Sequence, residues 1–163
     1  MTKPKILLMG VSGCGKSLIG ARLAEVLQIP FHDADSFHSE ANVRKMANGV
    51  PLNDDDRADW LATLANLVRS EPALVLGCSA LKRRYRDFLR DGNPDLQFLY
   101  LHGDYDTILP RLESRRDHYF AGAAMLRNQF EQLEPPDNRE ACSIDIRLGP
   151  DEIVKACLDT LRR

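Results

Sequence analysis

The chain has 163 residues, with 22 Lys plus Arg against 24 Asp plus Glu and a formal net charge of −2. That length suits one ordinary domain and excludes any architecture built from two full lobes. A charge this balanced gives no bulk attraction to nucleic acid or to a membrane surface, so neither is expected as a partner.

The first apolar run, Lys5–Met9, reads as a buried strand and is too short for a signal core or a membrane span. Gly10-Val11-Ser12-Gly13-Cys14-Gly15-Lys16-Ser17 follows it and fits G-x-x-x-x-G-K-[ST]. Cys14–Leu27 then reads as a helix, so the loop has the strand-before, helix-after context it needs. A loop that wraps a phosphate must bring backbone N–H groups close, and glycine permits that approach. The helix start aims further donors and its dipole at the same charge. On this reading Gly10 to Gly15 cradle the phosphates of a nucleotide, Lys16 reaches the β and γ groups, and the Ser17 hydroxyl binds Mg²⁺.

Ile29–His32 is expected as a second strand, running into Asp33-Ala34-Asp35. Two carboxylates at i and i+2 project from the same side of an extended segment. Asp35 is assigned to the acceptor hydroxyl and Asp33 to the metal shell; a solvated acidic turn or helix cap is the alternative. An aspartate of ordinary pKa, about 3.9, is a weak base, which is acceptable where positioning dominates phosphoryl transfer. Glu40–Met46 and Asp56–Arg69 read as helices, the second with Trp60, Leu61, Leu64, Leu67 and Val68 at helical spacing. Between them, Asp54 or Asp55 suits a helix cap. Arg57 sits near a helix start, where a cation is disfavoured. Its fork suits two-point contact with a carboxylate, so it reads as a substrate anchor or, failing that, a surface ion pair.

Ala73–Cys78 is a third, strongly apolar strand with no aspartate at its end, and the chain has neither D-x-x-G after it nor N-K-x-D. These gaps weaken a GTPase or large-ATPase reading and favour a small-molecule kinase. The basic run Ser79 to Arg86 opens a helix over Lys82–Arg90. It lines the crevice, forms a solvated face, or binds nucleic acid; Lys82 and Arg86 share one side at i, i+4. Leu96–His102 is a fourth strand, and Thr107–Arg116 and Ala123–Leu133 are expected helices. Arg111, Arg115 and Arg116 precede a Gly/Ala-containing stretch. That suits a lid closing on the transferring phosphoryl group, or a basic helix end. Ile144–Leu148 is a last strand, and Pro150 opens a helix with Ile153, Val154, Cys157, Leu158 and Leu161 on one face. Strands alternating with helices imply a mostly parallel sheet covered on both sides. Cys14, Cys78, Cys142 and Cys157 show no C-x-x-C spacing, so reduced thiols and a cytoplasmic setting are expected.

Together these residues resemble a known family. Gly10–Ser17, Asp33-Ala34-Asp35, His38/Asn42/Lys45-Met46, Pro51–Arg57 with Trp60-Leu61, Cys78–Lys82 with Tyr85-Arg86-Asp87, and Gln129-Phe130 with Leu133-Glu134 are similar to the bacterial P-loop gluconokinases of the thermoresistant type. Those enzymes are relatives of shikimate kinase and the nucleoside monophosphate kinases. The lid run Arg116-Asp117-His118-Tyr119 departs from the family's basic-Gly-His-Phe pattern. The resemblance implies a three-layer α/β fold, with a five-stranded parallel sheet flanked by helices and a short mobile lid. The whole chain, 1–163, would be one kinase domain, with an acceptor-binding segment at about 35–60 and the lid at about 115–128. It implies transfer of the ATP γ-phosphoryl to the 6-hydroxyl of D-gluconate, or to another small hydroxy acid such as shikimate or idonate. Lys16, Asp35 and Arg115 would be catalytic, and Arg111 would join the phosphate loop in holding nucleotide. Asp35, His38, Lys45, Arg57, Ser79, Lys82, Arg86, His118 and Gln129 would bind the acceptor, and a homodimer is implied.

Overall fold

A computed structural model describes residues 3–113 and 122–161. Five strands, β1 (Lys5–Met9), β2 (Phe31–Asp33), β3 (Leu74–Gly77), β4 (Leu96–His102) and β5 (Cys142–Asp145), form one sheet in the order β2-β3-β1-β4-β5. Every pairing is parallel. The helices are α1 (Lys16–Leu27), α2 (Glu40–Ala47), α3 (Asp54–Ser70), α4 (Arg83–Arg90), α5 (Tyr105–Glu113), α6 (Gly122–Gln132) and α7 (Pro150–Leu161), with a 3₁₀ turn at Ala34–Phe37. No helix among the described residues is long and apolar enough to cross a membrane.

Side chains alternate across the sheet, as a period of two requires. Ile6, Leu8, Val75, Leu99 and Leu101 face α1, α5 and α7, where they meet Ile19, Leu23, Ile108, Leu112 and Ile153. Leu7, Met9, Leu74, Leu76, Phe98 and Tyr100 face α3 and α4, where they meet Trp60, Leu64, Val68, Tyr85 and Leu89. Each fully buried aliphatic side chain contributes about 1.5–3 kcal/mol. Burial on both faces explains why β1 and β3 read as unbroken apolar runs. β1 lies centrally, pairing Leu8 with Gly77 on one side and Met9 with Tyr100 on the other. The sheet order therefore reverses direction at the C-terminal end of β1, where α/β folds open a crevice.

Several boundaries differ from expectation for local reasons. α1 begins at Lys16 rather than Cys14, because Gly15 is still left-handed at φ 103°. β2 begins at Phe31 rather than Ile29. The Ile29 N–H still bonds back to Ala24 O at the helix end, and Pro30 has no N–H to give. Asn53, not Asp54 or Asp55, caps α3. Its side chain accepts from the Asp56 N–H, and the Asp56 carboxylate accepts from the Asn53 N–H. β5 ends at Asp145 rather than reaching Leu148, because Asp145 Oδ1 accepts from the Arg147 N–H and turns the chain.

A buried ion pair joins α4 to the loop before β5. Arg86 is 1% exposed. Its Nε donates to Glu140 at 2.6 Å, Nη1 to Ala80 O and Leu81 O, and Nη2 to Glu134 O and Glu140. Arg90 Nη2 reaches the same Glu140 carboxylate at 2.5 Å. Burial alone would raise the Glu140 pKa, but the hydrogen bonds from Arg86 and Arg90 outweigh it and hold the carboxyl below the ordinary glutamate value. Removing one partner leaves the other charge buried. Arg86→Met should therefore lower unfolding free energy by about 3 kcal/mol or more in urea titrations. Because the folded pKa is depressed, the pair's contribution is complete above the ordinary glutamate pKa of about 4.3 and is lost as pH falls through the depressed value. The parent's urea midpoint should drop more steeply in that acid window than the midpoint of Glu140→Gln.

Candidate active site

The crevice beyond β1 is lined by Ser12, Gly13, Gly15, Lys16, Ser17, Asp33, Asp35 and Gly77. The phosphate loop thus meets both acidic residues in one cleft, as the sequence implied. The loop's shape demands glycine at two places. A Cβ on Gly10 would stand 2.7 Å from Cys14 Sγ and 2.8 Å from Leu101 O, and one on Gly13 would stand 2.8 Å from the Leu112 side chain. Both glycines also have positive φ. Lys16 Nζ donates to Gly10 O at 2.8 Å and Val11 O at 3.1 Å, which holds the ammonium over the loop. Ser17 lies exposed in the first turn of α1. Cys14 is buried under the loop and contributes packing as well as its backbone.

The two aspartates do not share an extended segment. Asp33 ends β2, and its Oδ1 accepts from the Asp35 N–H at 3.0 Å, capping the 3₁₀ turn that carries Asp35. The cap and the cleft-lining carboxylate are therefore one residue. Asp35 is reachable by solvent but sits in the recess of the cleft. Loss of hydration, then the neighbouring Asp33 charge, raise its pKa above the ordinary value, while Lys16 and His38 pull the other way. That makes it a better base than the bare sequence suggested. Ser17 and Asp33 beside the phosphate loop are a donor set that fits Mg²⁺, which keeps most of its waters and takes only one or two protein ligands.

The turn is pinned from α3. Trp60 Nε1 donates to Ala34 O at 2.7 Å, and the His38 ring stacks on the Trp60 ring at 4.4 Å and 11°. Trp60 reads from sequence only as a core residue, and helical spacing carries no sign of this tether. Lys45 Nζ donates to Asp56 Oδ1 at 2.7 Å, so one of its three hydrogens serves the fold. Arg57 Nη1 donates to Tyr85 Oη at 3.1 Å, and Tyr85 donates in turn to Asp54 Oδ1 at 2.7 Å. Arg84 pairs with the other Asp54 oxygen. Tyr85 thus orients Arg57 from a different helix, a role that its position in a basic run does not signal. Ser79 O accepts from the Gly10 N–H, and Lys82 is the half-buried N-cap residue of α4.

One expected acceptor ligand, Arg86, is corrected, and a second, Gln129, is found against the phosphate loop. Arg86 turns inward, and all five of its N–H donors are spent on Glu140 and three backbone carbonyls. The i, i+4 side shared with Lys82 therefore does not face the crevice at Arg86. Gln129, on α6, clasps the phosphate loop instead: its Oε1 accepts from the Ser12 N–H at 2.7 Å and its Nε2 donates to Ser12 Oγ at 2.9 Å. Arg111 donates to Ile146 O at 2.9 Å, which places it against the loop that follows β5. Arg115 and His118, with the first part of the expected lid at 115–128, lie outside the described residues; from Gly122 the chain is α6.

The family model described as "Shikimate kinase" matches residues 12–161. The chain is 42% identical to the thermoresistant gluconokinase of Escherichia coli, over 96% of this chain and 93% of that relative. It superposes with a TM-score of 0.91 on the crystal structure of a gluconokinase from Sinorhizobium meliloti, at 40% identity and covering 99% of this chain and 93% of that one. A shikimate kinase from Acinetobacter baumannii in complex with shikimate gives a TM-score of 0.69 at 20% identity, covering 98% and 93%; that likeness is one of fold. With the phosphate loop and the acidic turn in one cleft at the end of β1, the chain belongs to the gluconokinase family of P-loop kinases.

Proposed function

We propose that this kinase transfers the γ-phosphoryl group of ATP to the 6-hydroxyl of D-gluconate, giving 6-phosphogluconate and ADP. The observation that carries the reading is Asp35, a carboxylate of raised pKa, lining the same cleft as Lys16 and Ser17. The acceptor oxygen bonds to phosphorus as the bond to the ADP oxygen breaks, and the hydroxyl proton passes to Asp35. The transition state is loose, so orientation and charge neutralisation supply most of the acceleration. Lys16 and the loop N–H groups meet charge on the phosphoryl oxygens. Ser17 and Asp33 would hold Mg²⁺, which would supply charge neutralisation on the phosphates. Arg57, held by Tyr85, has donors left for the sugar-acid carboxylate, and His38, Lys45, Ser79 and Lys82 flank the acceptor. Arg115 and His118 keep their lid roles in this reading, as does Arg111 its contact with nucleotide. One kinase domain spanning 1–163, a homodimeric assembly and a cytoplasmic setting belong to the same reading, supported by the family resemblance and the unpaired thiols.

Shikimate and idonate are the rival acceptors, since Arg57 suits any small hydroxy acid. Identity of 42% to a gluconokinase, against 20% to a shikimate kinase, favours gluconate. ADP release measured side by side with gluconate, shikimate and idonate should be fastest with gluconate. Equal rates would reject the assignment. Asp35→Asn should keep ATP affinity within about threefold and cut kcat by about 10²–10⁴-fold, as loss of a positioned base does. Lys16→Ala should lower kcat by about 10²-fold or more, in single-turnover assays with ATP saturating.

A further inference from the structure

Asn42 is one of the few polar side chains buried in the described residues, at 4% exposure on α2. Its Nδ2 donates to Asp56 O at 2.8 Å and lies 3.2 Å from His38 Nδ1. A backbone carbonyl only accepts, so Asp56 O fixes that end of the amide as the NH₂ group. The second amide hydrogen then meets His38 Nδ1, which must accept. An accepting Nδ1 bears no proton, so the neutral ring carries its proton on Nε2. Protonating the ring would set Nδ1–H against an amide N–H, donor to donor.

The ring has little freedom to escape this arrangement. It stacks face to face on Trp60, which is itself bonded to Ala34 O. The charged groups acting on the ring are Asp35 of the 3₁₀ turn and Arg57 of α3. Lys45 of α2 and Asp56 of α3 pair with each other beside Asn42. Burial, and then Arg57, hold the His38 pKa below the ordinary histidine value against the pull of Asp35. Among the described residues, no hydrogen bond is made to His38 Nε2, so that donor is not spent within the fold.

We propose that Asn42 is a positioning residue that holds His38 as a neutral Nε2–H donor, giving the acceptor site one hydrogen-bond donor for a sugar-acid oxygen beside the accepting carboxylate of Asp35. The inference rests on the gluconate reading for its ligand but not for its geometry. Asp35 and His38 then offer opposite polarity, one accepting a hydroxyl proton and the other donating to an oxygen.

Histidine ¹⁵N chemical shifts of the full chain, read by long-range ¹H–¹⁵N correlation, test the tautomer directly. Neutral His38 should show a protonated Nε2 and an unprotonated Nδ1; a protonated Nδ1 would overturn the proposal. In Asn42→Asp, assayed at a pH where the ring is neutral, a carboxylate facing Nδ1 should draw the proton there, leave Nε2 an acceptor, and raise the gluconate KM tenfold or more with ATP affinity within threefold. An unchanged tautomer and KM would also overturn it. Should that variant fail to fold, His38→Gln, whose amide N–H mimics Nε2–H, should keep gluconate KM closer to the parent's than His38→Asn, whose amide mimics Nδ1. The reverse order counts against the proposal. A parent enzyme with the expected tautomer but no gluconate turnover would remove the substrate reading and leave the Asn42 role standing.

Discussion

The phosphate loop has to reverse direction at the end of the central strand without any side chain in its way, and the rest of the site is arranged around that turn. β1 ends between Gly77 and Tyr100, so the loop leaves the sheet where both flanking strands are occupied. Gly10 presses against Leu101 O and Cys14, and Gly13 against Leu112 of α5. The loop is therefore clamped between sheet and helix before any ligand arrives. Its neighbours attach to it by backbone as much as by side chain: Ser79 O accepts from the Gly10 N–H, and Gln129 accepts from the Ser12 N–H and donates to the Ser12 hydroxyl oxygen. Those two N–H groups are spent on bracing the loop, and the shape they fix is what preorganises its other dipoles.

The acceptor side is built from short segments tied back to α3. One indole hydrogen bond to Ala34 O fixes the turn that carries Asp35, and one buried amide ties α2 to the backbone of α3 at Asp56. The capping box at Asn53 and Asp56 starts α3 at a defined residue, which sets where Arg57 and Trp60 fall on the helix. Trp60 then faces the sheet and the turn, while Arg57 reaches Tyr85. Local helix chemistry and tertiary contact agree here.

Arginines 57 and 86 carry the same fork and serve opposite ends. Arg86 is sealed from solvent and satisfied by Glu140 and three carbonyls, and it holds the turn around Ala80, whose φ of 45° is unusual for a residue with a side chain. Arg57 is half-buried and, among the described residues, makes one hydrogen bond, to Tyr85, which leaves most of its fork available. Both stand in charged surroundings in the sequence, and nothing in residue type or spacing separates them. A full set of internal partners marks one as a brace and leaves the other with donors to spare.

The sequence by itself determined the phosphate loop, the alternation of strands and helices, and the two-sided burial of the sheet. Each follows from chemistry local to a few residues: glycines at fixed offsets, apolar runs, and helical spacing. The likeness to gluconokinases was legible in Pro51–Arg57 and Cys78–Lys82 for the same reason. Only the tertiary structure decided that Arg86 points inward, that Gln129 clasps Ser12, that Tyr85 orients Arg57, and that Asn42 sets the proton on His38. These pairings join residues separated by up to 117 positions, as for Ser12 and Gln129. They depend on which helix packs on which face of the sheet and how far each is turned about its axis. That rotation is fixed by the packing of the whole core, and no short stretch of sequence encodes it.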